Sequence, residues 1–396
     1  MRSRISILSA ALAVASGCHD APTDTSRRTA AAPLPDAQAD AQLATLSWYH
    51  LGERFALATF ASPIPRNRVF AYLTLAQYRA AAAADDAYGG AWPSYVAAAV
   101  AGASAEVLTY FFPAEAGLIA ERLSEAEQAA AVNVHSGFAA GAEFGRAVGA
   151  PVIARARTDR FDLPWTGHVP AGEGFWFSSA NPPAPPAFPR LGEMRAFYLT
   201  SNDQFRPPTP PAYGSPEFQA ALAELRQISD TRTAEQKHIA EFWATGPGGQ
   251  VYWNGTAVDL IGRYGITSER DAAHVLALLH TAMVDANIAS HEAKFTYWLI
   301  RPSQADPAIV PIGLPNFPSY PSNHAAISGT ASLVLAALFP GDADWLVAAG
   351  EEAGTSRMYG GIHYRFDRDA GFELAHKIAD LALTMDRQGA LLGALP

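Results

Sequence analysis

Lys294 and Arg301 form the first of three groups of residues whose types and spacing could bind an anion. They lie seven residues apart. If both belong to one α-helix, this spacing is almost two turns, which places the side chains on one face about 10 Å apart along the axis. Side chains of this length can converge on one anion. The pair alone is a weak argument, because a Lys and an Arg near a helix C-terminus commonly only complement the helix dipole in solvent.

The second group, Ser322, Asn323 and His324, stands at the predicted start of a helix. The first backbone N–H groups of a helix have no intrahelical acceptor and lie at the positive end of its dipole, so a helix N-terminus favours an anion. Here a hydroxyl and an imidazole are added. Ser322 could also be a simple N-cap and His324 a surface residue; for Ser322 the two interpretations are compatible.

The third group, in residues 356–367, combines Arg357, a glycine pair, His363 and Asp367. Asp367 could accept a hydrogen bond from one ring nitrogen of His363 and so fix its tautomer. The other nitrogen would then be free as a nucleophile or a ligand. In isolation this would be a His–Asp pair on a helix surface, and it is the order of the three groups that favours a common site.

In chain order, the three groups read K-x6-R-P, P-S-x-H and S-R-x5-H-x3-D. This pattern resembles the tripartite signature of the superfamily that unites type-2 phosphatidic-acid phosphatases, bacterial acid phosphatases and vanadium-dependent haloperoxidases. The likeness extends over most of the chain from about residue 163 and points to the soluble bacterial haloperoxidase branch. It implies a helical bundle of the vanadium haloperoxidase and acid phosphatase type.

The resemblance implies a role for each site residue. The residues that would bind the equatorial oxygens of vanadate or phosphate are Lys294, Arg301, Ser322, Asn323 through its backbone N–H, and Arg357. His363 would be the axial ligand of vanadium, or would attack phosphorus, and Asp367 would orient it. His324 would act as general acid or base on the apical oxygen.

Two activities fit these residues. A vanadium-dependent haloperoxidase would oxidise a halide with hydrogen peroxide at a vanadate bound to His363, and Lys294 would polarise the oxidant. An acid phosphatase would hydrolyse a phosphomonoester through a phosphohistidine intermediate. The peroxidase is favoured, because the chain is longer than a compact bacterial acid phosphatase and Phe317 falls where chloroperoxidase-type members carry phenylalanine. A non-catalytic surface lipoprotein with the same fold is disfavoured, because no essential residue is missing.

Two residues near the motifs have less certain roles. The superfamily usually has glycine at the position of Asn323; asparagine keeps the backbone N–H, but its side chain is expected to narrow the apical space. His291 precedes Lys294 by one turn on the same predicted helix. It either tunes access of halide or peroxide, or is an internally satisfied histidine, with equal weight. His280 and Asn287 are interpreted as structural.

Helical spacing of apolar residues predicts the elements that carry these groups, and with no extended strand-like alternation the fold class is all-α. The longest helix is predicted over residues 268 to about 300, ended by Arg301-Pro302. A second runs from near Ser322 to Leu338, and a third follows Gly371. Residues 150–215, rich in proline and aromatic side chains, predict an ordered coil layer.

Composition limits the partners and suggests export. A net charge of −10, from 38 acidic and 28 basic residues, argues against nucleic-acid binding, which needs a clustered basic surface. Two early arginines, a mostly apolar stretch from Ile5 to Ala15 and small residues before Cys18, the single cysteine, predict a signal peptide over residues 1–18. It resembles a lipoprotein signal, and ordinary cleavage near Cys18 without lipid is the alternative. A flexible tether over 19–41, an N-terminal helical region over 42–215 and a catalytic region over 216–396 would follow. The expected location is the periplasm or the cell surface of a bacterium, with membrane contact only through a lipid at Cys18.

Overall fold

The computed structural model describes residues 43–88, 93–130, 137–245 and 248–393. The predicted signal peptide, Cys18 and the tether lie outside these residues, so they stay predictions. The described residues all belong to one compact unit of the chain.

The described ranges contain thirteen α-helices and no β-strand, apart from an isolated bridge between Phe175 and Leu299. The helices are α1 (Ala44–Thr59), α2 (Pro63–Tyr88), α3 (Pro93–Phe111), α4 (Ala116–Ala130), α5 (Phe138–Arg157), α6 (Pro216–Thr231), α7 (Ala234–Thr245), α8 (Gln250–Arg263), α9 (Glu269–Tyr297), α10 (Pro302–Ala305), α11 (Asn323–Leu338), α12 (Ala343–Tyr359) and α13 (Arg365–Arg387). The predicted all-α class is confirmed.

Helix α9 is the central element of the core. Its N-cap, Ser268, accepts a hydrogen bond from the N–H of Asp271 at 3.2 Å, which satisfies one of the free donors of the first turn. Helices α1, α2, α11 and α13 pack around it. Its length and apolar composition would also suit a membrane-spanning helix, but it is almost entirely buried inside the protein, as the core helix of a large bundle is.

The C-terminus of α9 differs from the prediction. The helix ends three residues before residue 300, because Trp298 adopts the left-handed conformation (φ 51°) and its N–H bonds to the carbonyl of Lys294 at 2.9 Å. Arg301 follows in extended conformation (φ −77°, ψ 152°), as expected of a residue that precedes proline. The prediction that Lys294 and Arg301 share one helix face is therefore wrong; the turn at Trp298 separates them.

The coil layer is shorter than predicted, because α5 continues past Pro151 to Arg157. The coil is fastened to α9 by Asp285, a buried residue whose carboxylate accepts the backbone N–H groups of Phe197 and Tyr198 at 2.7 Å and of Leu199 at 3.2 Å. Three backbone hydrogen bonds to one carboxylate give an irregular segment a fixed position on the bundle.

The last helices meet at the start of α11. As predicted, α11 follows Ser322 and ends at Leu338. Helix α13 begins at Arg365, so Gly371 lies inside it rather than before it. A Cβ at Gly371 would come within 2.6 Å of the Ser322 carbonyl oxygen and 2.7 Å of the Cβ of Ala325. Glycine thus permits α13 to pack directly against the first turn of α11.

Candidate oxyanion site

His363 is held in one tautomer by two partners. Its Nδ1 lies 2.8 Å from Oδ2 of Asp367, and its Nε2 lies 3.1 Å from Nη1 of Arg301. A guanidinium can only donate and a carboxylate only accepts, so Nδ1 carries the proton and Nε2 the lone pair. Burial lowers the pKa of His363 well below its usual value, and the nearby Arg301 lowers it further. The ring is therefore neutral, with a lone pair available at Nε2.

Asp367 lies in the first turn of α13 and is completely buried. Besides His363, its Oδ2 accepts hydrogen bonds from the hydroxyl of Ser319 at 2.5 Å and from the N–H of Tyr364 at 3.2 Å. Burial raises the pKa of Asp367 to about 6, against the opposing effects of the Ser319 hydrogen bond and the cations Lys294 and Arg301. The predicted His363–Asp367 hydrogen bond is present, although it joins a residue before the helix to one inside it.

Two arginines each keep one buried donor without a partner in the described part of the chain. Arg301 donates from Nε to the carbonyl of Phe317 at 3.0 Å and from Nη1 to that of Ile362 at 2.8 Å, which leaves Nη2. Arg357 donates from Nε to the hydroxyl of Ser356 at 3.0 Å and from Nη2 to the carbonyl of Ala240, which leaves Nη1. Burial lowers the pKa of Arg301 to about 10 and that of Arg357 to about 9, so both remain charged near neutral pH.

Lys294 is fully buried and points into the loop before α11. Its Nζ lies 3.1 Å from the carbonyl oxygen of Pro318, 2.7 Å from that of Ser319 and 2.5 Å from that of Pro321. These three acceptors match the three donors of an ammonium group. Lys294 thus fixes the loop. Burial lowers its pKa well below the usual value, with Arg301 contributing, while its three carbonyl acceptors favour the charged ammonium form. Its predicted direct contact with the anion or the oxidant stays a prediction.

Ser322 is the N-cap of α11, and its Oγ accepts from the N–H of Ala325 at 3.4 Å. The N–H of Ser322 itself bonds to the carbonyl of Asp367 at 2.8 Å, which joins this turn to α13. Among the described residues, the next two N–H groups, those of Asn323 and His324, have no acceptor. The first turn of α11 therefore presents free donors, as the sequence predicts for a helix N-terminus.

His324 is oriented by helix α7. Its Nε2 lies 3.0 Å from the carbonyl oxygen of Trp243, which can only accept, so Nε2 carries the proton and Nδ1 the lone pair. Burial lowers the pKa of His324 to about 3, and the nearby Arg357 contributes. The helical pattern of the sequence predicts this helix from Thr233 to Ala244, but not its contribution to the site. Trp243 and Ala240 act through main-chain carbonyls, which any residue type supplies, so no motif could indicate them.

Asn323 directs its side chain to α9. Its Oδ1 accepts from the hydroxyl of Ser290 at 2.8 Å, and its Nδ2 donates to Oδ1 of Asn287 at 3.0 Å. From the sequence, the Asn323 side chain is expected to narrow the apical space of the site. In the structure, both ends of its amide are hydrogen-bonded to residues of α9. Asn287, interpreted as structural from the sequence, is one of them.

His291 and Phe317 form one wall beside the cations. The two rings are in edge contact at 5.3 Å, and the Phe317 ring centroid is also 5.3 Å from Nζ of Lys294 and from Cζ of Arg301. Nδ1 of His291 lies 2.9 Å from the carbonyl oxygen of Asn287, while its buried Nε2 has no partner in the described residues. Burial lowers the pKa of His291 to about 3, with Lys294 contributing. Both secondary candidates thus adjoin the predicted site.

The charge of this cluster fits an oxyanion. Lys294, Arg301 and Arg357 are buried together with a single buried carboxylate, Asp367, and the histidines are neutral. Uncompensated buried charge is unfavourable, and two guanidinium donors lack acceptors. A phosphate or vanadate ion would supply both the negative charge and the oxygens. The described residues hold no cluster of three or more His, Cys, Asp or Glu side chains suited to a metal cation.

Two sequence comparisons agree with this geometry. A family model described as the VCPO second helical-bundle domain matches residues 342–389, which contain Arg357, His363 and Asp367. A non-specific acid phosphatase from Providencia stuartii is 31% identical over 176 residues, which cover 41% of this chain and 66% of the phosphatase. Both matches, like the three motifs, make the chain similar to members of the vanadium haloperoxidase and type-2 phosphatidic-acid phosphatase superfamily. It spans just under two thirds of the length of this phosphatase relative.

The chain is also similar in fold to solved structures. The structure described as the first bacterial vanadium-dependent iodoperoxidase has a TM-score of 0.71 at 22% identity, over 86% of this chain and 95% of that one. A holo-type bacterial vanadium-dependent chloroperoxidase has a TM-score of 0.70 at 14% identity, over 85% of this chain and 95% of that one. At these identities the match shows a shared helical fold.

Proposed function

We propose that the protein is a vanadium-dependent haloperoxidase-like enzyme that oxidises a halide with hydrogen peroxide. One observation carries the proposal: the buried Nη2 of Arg301 and Nη1 of Arg357 have no acceptor in the described chain, beside a neutral His363 with its lone pair at Nε2. The peroxidase is preferred to a phosphatase because the fold likeness to haloperoxidases includes 85–86% of the chain, whereas the phosphatase relative matches 41%.

Each residue would have a defined part in binding. The free donors of Arg301 and Arg357, with the backbone N–H groups of Asn323 and His324, would hold the oxygens of vanadate. Nε2 of His363 would bind the vanadium, because its lone pair is kept available by the proton on Nδ1. Bound vanadate would supply a Lewis-acidic centre that activates hydrogen peroxide for attack by the halide.

His324 would move the proton in this reaction. Its Nδ1 holds the lone pair, so it would accept a proton from hydrogen peroxide at this atom and hold it as the imidazolium until it is released. The carbonyl of Trp243 keeps the ring in position while the proton is transferred. A bound anion would raise the low pKa of His324, because the negative charge favours the imidazolium form.

A phosphatase is the second candidate, favoured by the 31% identity to the Providencia stuartii acid phosphatase. Nε2 of His363 would then form a bond to phosphorus as the ester P–O bond breaks, and His324, protonated at Nδ1 to the imidazolium when the anionic substrate is bound, would give that proton to the leaving alcohol. Water, deprotonated by His324, would release phosphate from the histidine. Both activities would use the same residues, so only an assay separates them.

The test is reconstitution of the purified protein with orthovanadate. Peroxide-dependent halogenation of a dye, assayed with iodide, bromide and chloride, should appear with vanadate and be inhibited by phosphate. Hydrolysis of p-nitrophenyl phosphate should be measured beside it. Hydrolysis inhibited by vanadate, without halogenation, would favour the phosphatase instead, and neither activity would favour a non-catalytic role.

Two histidine variants provide the control. His363→Ala should abolish turnover, because it removes the axial ligand or nucleophile. His376→Ala changes an exposed histidine of α13 and should leave turnover unchanged. Equal activity of the two variants would contradict the role assigned to His363.

We also propose export of the protein to the periplasm or cell surface, on the strength of the arginines and the apolar stretch before Cys18. The mass of the protein isolated from its producing cells tests this proposal. A mature chain that begins at or near Cys18 is expected, and a retained initial segment would contradict it.

A further inference from the structure

The face of α9 that lies against the start of α11 is polar. Asn287, Ser290, His291 and Lys294 follow one another at helical spacing on this face, and all four are buried. A core helix normally buries apolar side chains there, and a buried polar group is unfavourable unless it is hydrogen-bonded. Lys294 bonds to the loop before α11, and the side chains of Asn287 and Ser290 have Asn323 as their partner.

The side chain of Asn323 joins the two helices through both ends of its amide. The hydroxyl of Ser290 donates to Oδ1 at 2.8 Å, and Nδ2 donates to Oδ1 of Asn287 at 3.0 Å. Two bonds to two residues of one rigid helix fix the position of the side chain and of the backbone that carries it. Asn323 is the first residue of α11, whose N–H has no acceptor in the described residues.

The other side of the same turn is fixed by α13. The N–H of Ser322 bonds to the carbonyl of Asp367 at 2.8 Å, and Gly371 packs against the Ser322 carbonyl. Asp367 also orients His363. The turn that presents the free N–H groups is thus held between α9, through Asn323, and α13, which orients the ligand histidine.

We infer that Asn323 is a positioning residue of the oxyanion site, acting through the hydrogen bonds of its side-chain amide to Ser290 and Asn287. It holds the first turn of α11 so that the N–H groups of residues 323 and 324 point at the anion. This inference rests on the proposed oxyanion-binding function. It assigns to Asn323, Ser290 and Asn287 a part in anion affinity without contact between their side chains and the anion.

The experiment compares four variants by isothermal titration calorimetry with inorganic phosphate and with orthovanadate, well below the melting temperature. Ser290→Ala removes one bond and leaves Asn323 in place, Asn323→Gly removes both and keeps the N–H, and the third variant combines the two changes. Thr281→Ala is the control, because it removes a buried hydroxyl of α9 that bonds to the Tyr198 hydroxyl at 2.7 Å, remote in the helix from Asn323. Melting temperatures are recorded for all four.

Loss of a positioning hydrogen bond should weaken binding, raising the dissociation constants of both anions roughly 3- to 10-fold in Ser290→Ala and in Asn323→Gly. The double variant should be no weaker than Asn323→Gly, because the second change removes a bond that is already absent. Thr281→Ala should lower the melting temperature but leave both dissociation constants within about 2-fold, as a purely structural change would.

The alternatives have separate signatures. If the wild-type protein binds both anions and the Ser290 and Asn323 variants bind them equally well, the positioning role is overturned while the oxyanion site stands. Additive losses in the double variant would also overturn the coupling. If the wild-type protein binds neither anion, the proposed function fails with it. Should Asn323→Gly not fold, Ser290→Ala decides the matter alone.

Discussion

At His363, two polar contacts determine which nitrogen can react. Asp367 accepts a hydrogen bond from Nδ1–H, and Arg301 donates a hydrogen bond to Nε2. If Nε2 of His363 binds an anion, Nη1 of Arg301 loses that nitrogen as an acceptor. Nη2 of Arg301, which has no partner in the described residues, can then donate to the anion. The reactivity of this histidine thus depends on its buried neighbours rather than on the imidazole itself.

Asp367→Asn should weaken vanadate binding roughly 10- to 100-fold, the usual effect of losing a carboxylate that supports a ligand histidine. The amide oxygen of asparagine can still accept a hydrogen bond from Nδ1–H of His363, but asparagine lacks the negative charge that makes Nε2 more basic. Calorimetric titration with orthovanadate measures the change. Asp380→Asn, at an exposed position of α13, is the control, and equal affinities in the two variants would refute the orienting role.

At the scale of elements, five helices place the site residues. Helix α9 provides Lys294, α11 its free N–H groups, α12 provides Arg357, and α7 provides two carbonyl acceptors. Glycine at residue 371 permits the close approach of helix α13 to the first turn of α11. The spacing of these helices therefore determines the geometry of the site.

Gly371→Ala should lower both stability and anion affinity. The added Cβ would lie 2.6 Å from the Ser322 carbonyl, so α13 and α11 must separate and the Ser322–Asp367 bond must lengthen. We expect a loss of about 1–3 kcal/mol in the free energy of unfolding, typical of overpacking. Urea denaturation and phosphate titration measure the two effects.

Gly255→Ala provides the matched control on α8. No atom lies within 4 Å of a Cβ built there, so alanine should be neutral or should stabilise the helix by up to about 1 kcal/mol. If Gly371→Ala behaved like Gly255→Ala, the close approach of α13 to α11 would not matter for the site.

Sequence reasoning succeeded where the determinants are local. Ser322 as an N-cap and the hydrogen bond between His363 and Asp367 depend on residues four or fewer apart. It failed at Trp298, because a left-handed turn by a tryptophan depends on the surrounding structure and has no local signal. It also missed the bond from Asn323 to Ser290, which joins residues 33 apart in the chain.

At the scale of the whole molecule, the N-terminal helices complete the core on which the site is built. Tyr49 of α1 and Phe70 of α2 surround His280 of α9; Nε2 of His280 lies 2.9 Å from the Tyr49 hydroxyl, and its ring stacks on Phe70 at 5.1 Å. Burial lowers the pKa of His280 to about 3. A neutral histidine inside the core makes the stability of the bundle sensitive to acid.

The sign of this effect follows from proton binding. The unfolded chain takes up a proton at His280 near pH 6.5, whereas the folded chain does so only near pH 3, so stability falls as the pH drops through this interval. The slope from one such group approaches about 1.4 kcal/mol per pH unit. Burial raises the pKa of Asp285 to about 6, which opposes the effect between about pH 6 and 4.

His280→Gln should therefore make the free energy of unfolding less dependent on pH. Between pH 6 and 4, about one proton fewer should be taken up on unfolding. Chemical denaturation at several pH values gives the slope of the unfolding free energy. His376→Gln, at an exposed position, should leave this slope unchanged. An unaltered slope in His280→Gln would show that the buried imidazole is not a source of acid sensitivity.

The most direct test of the oxyanion site is a crystal structure of the protein soaked with orthovanadate. We expect one vanadate per chain, bonded to Nε2 of His363, with Nη2 of Arg301 and Nη1 of Arg357 at about 2.7–3.2 Å from its oxygens. Vanadate bound elsewhere, or density at this position that makes no contact with His363 and the two arginines at saturating vanadate, would contradict it.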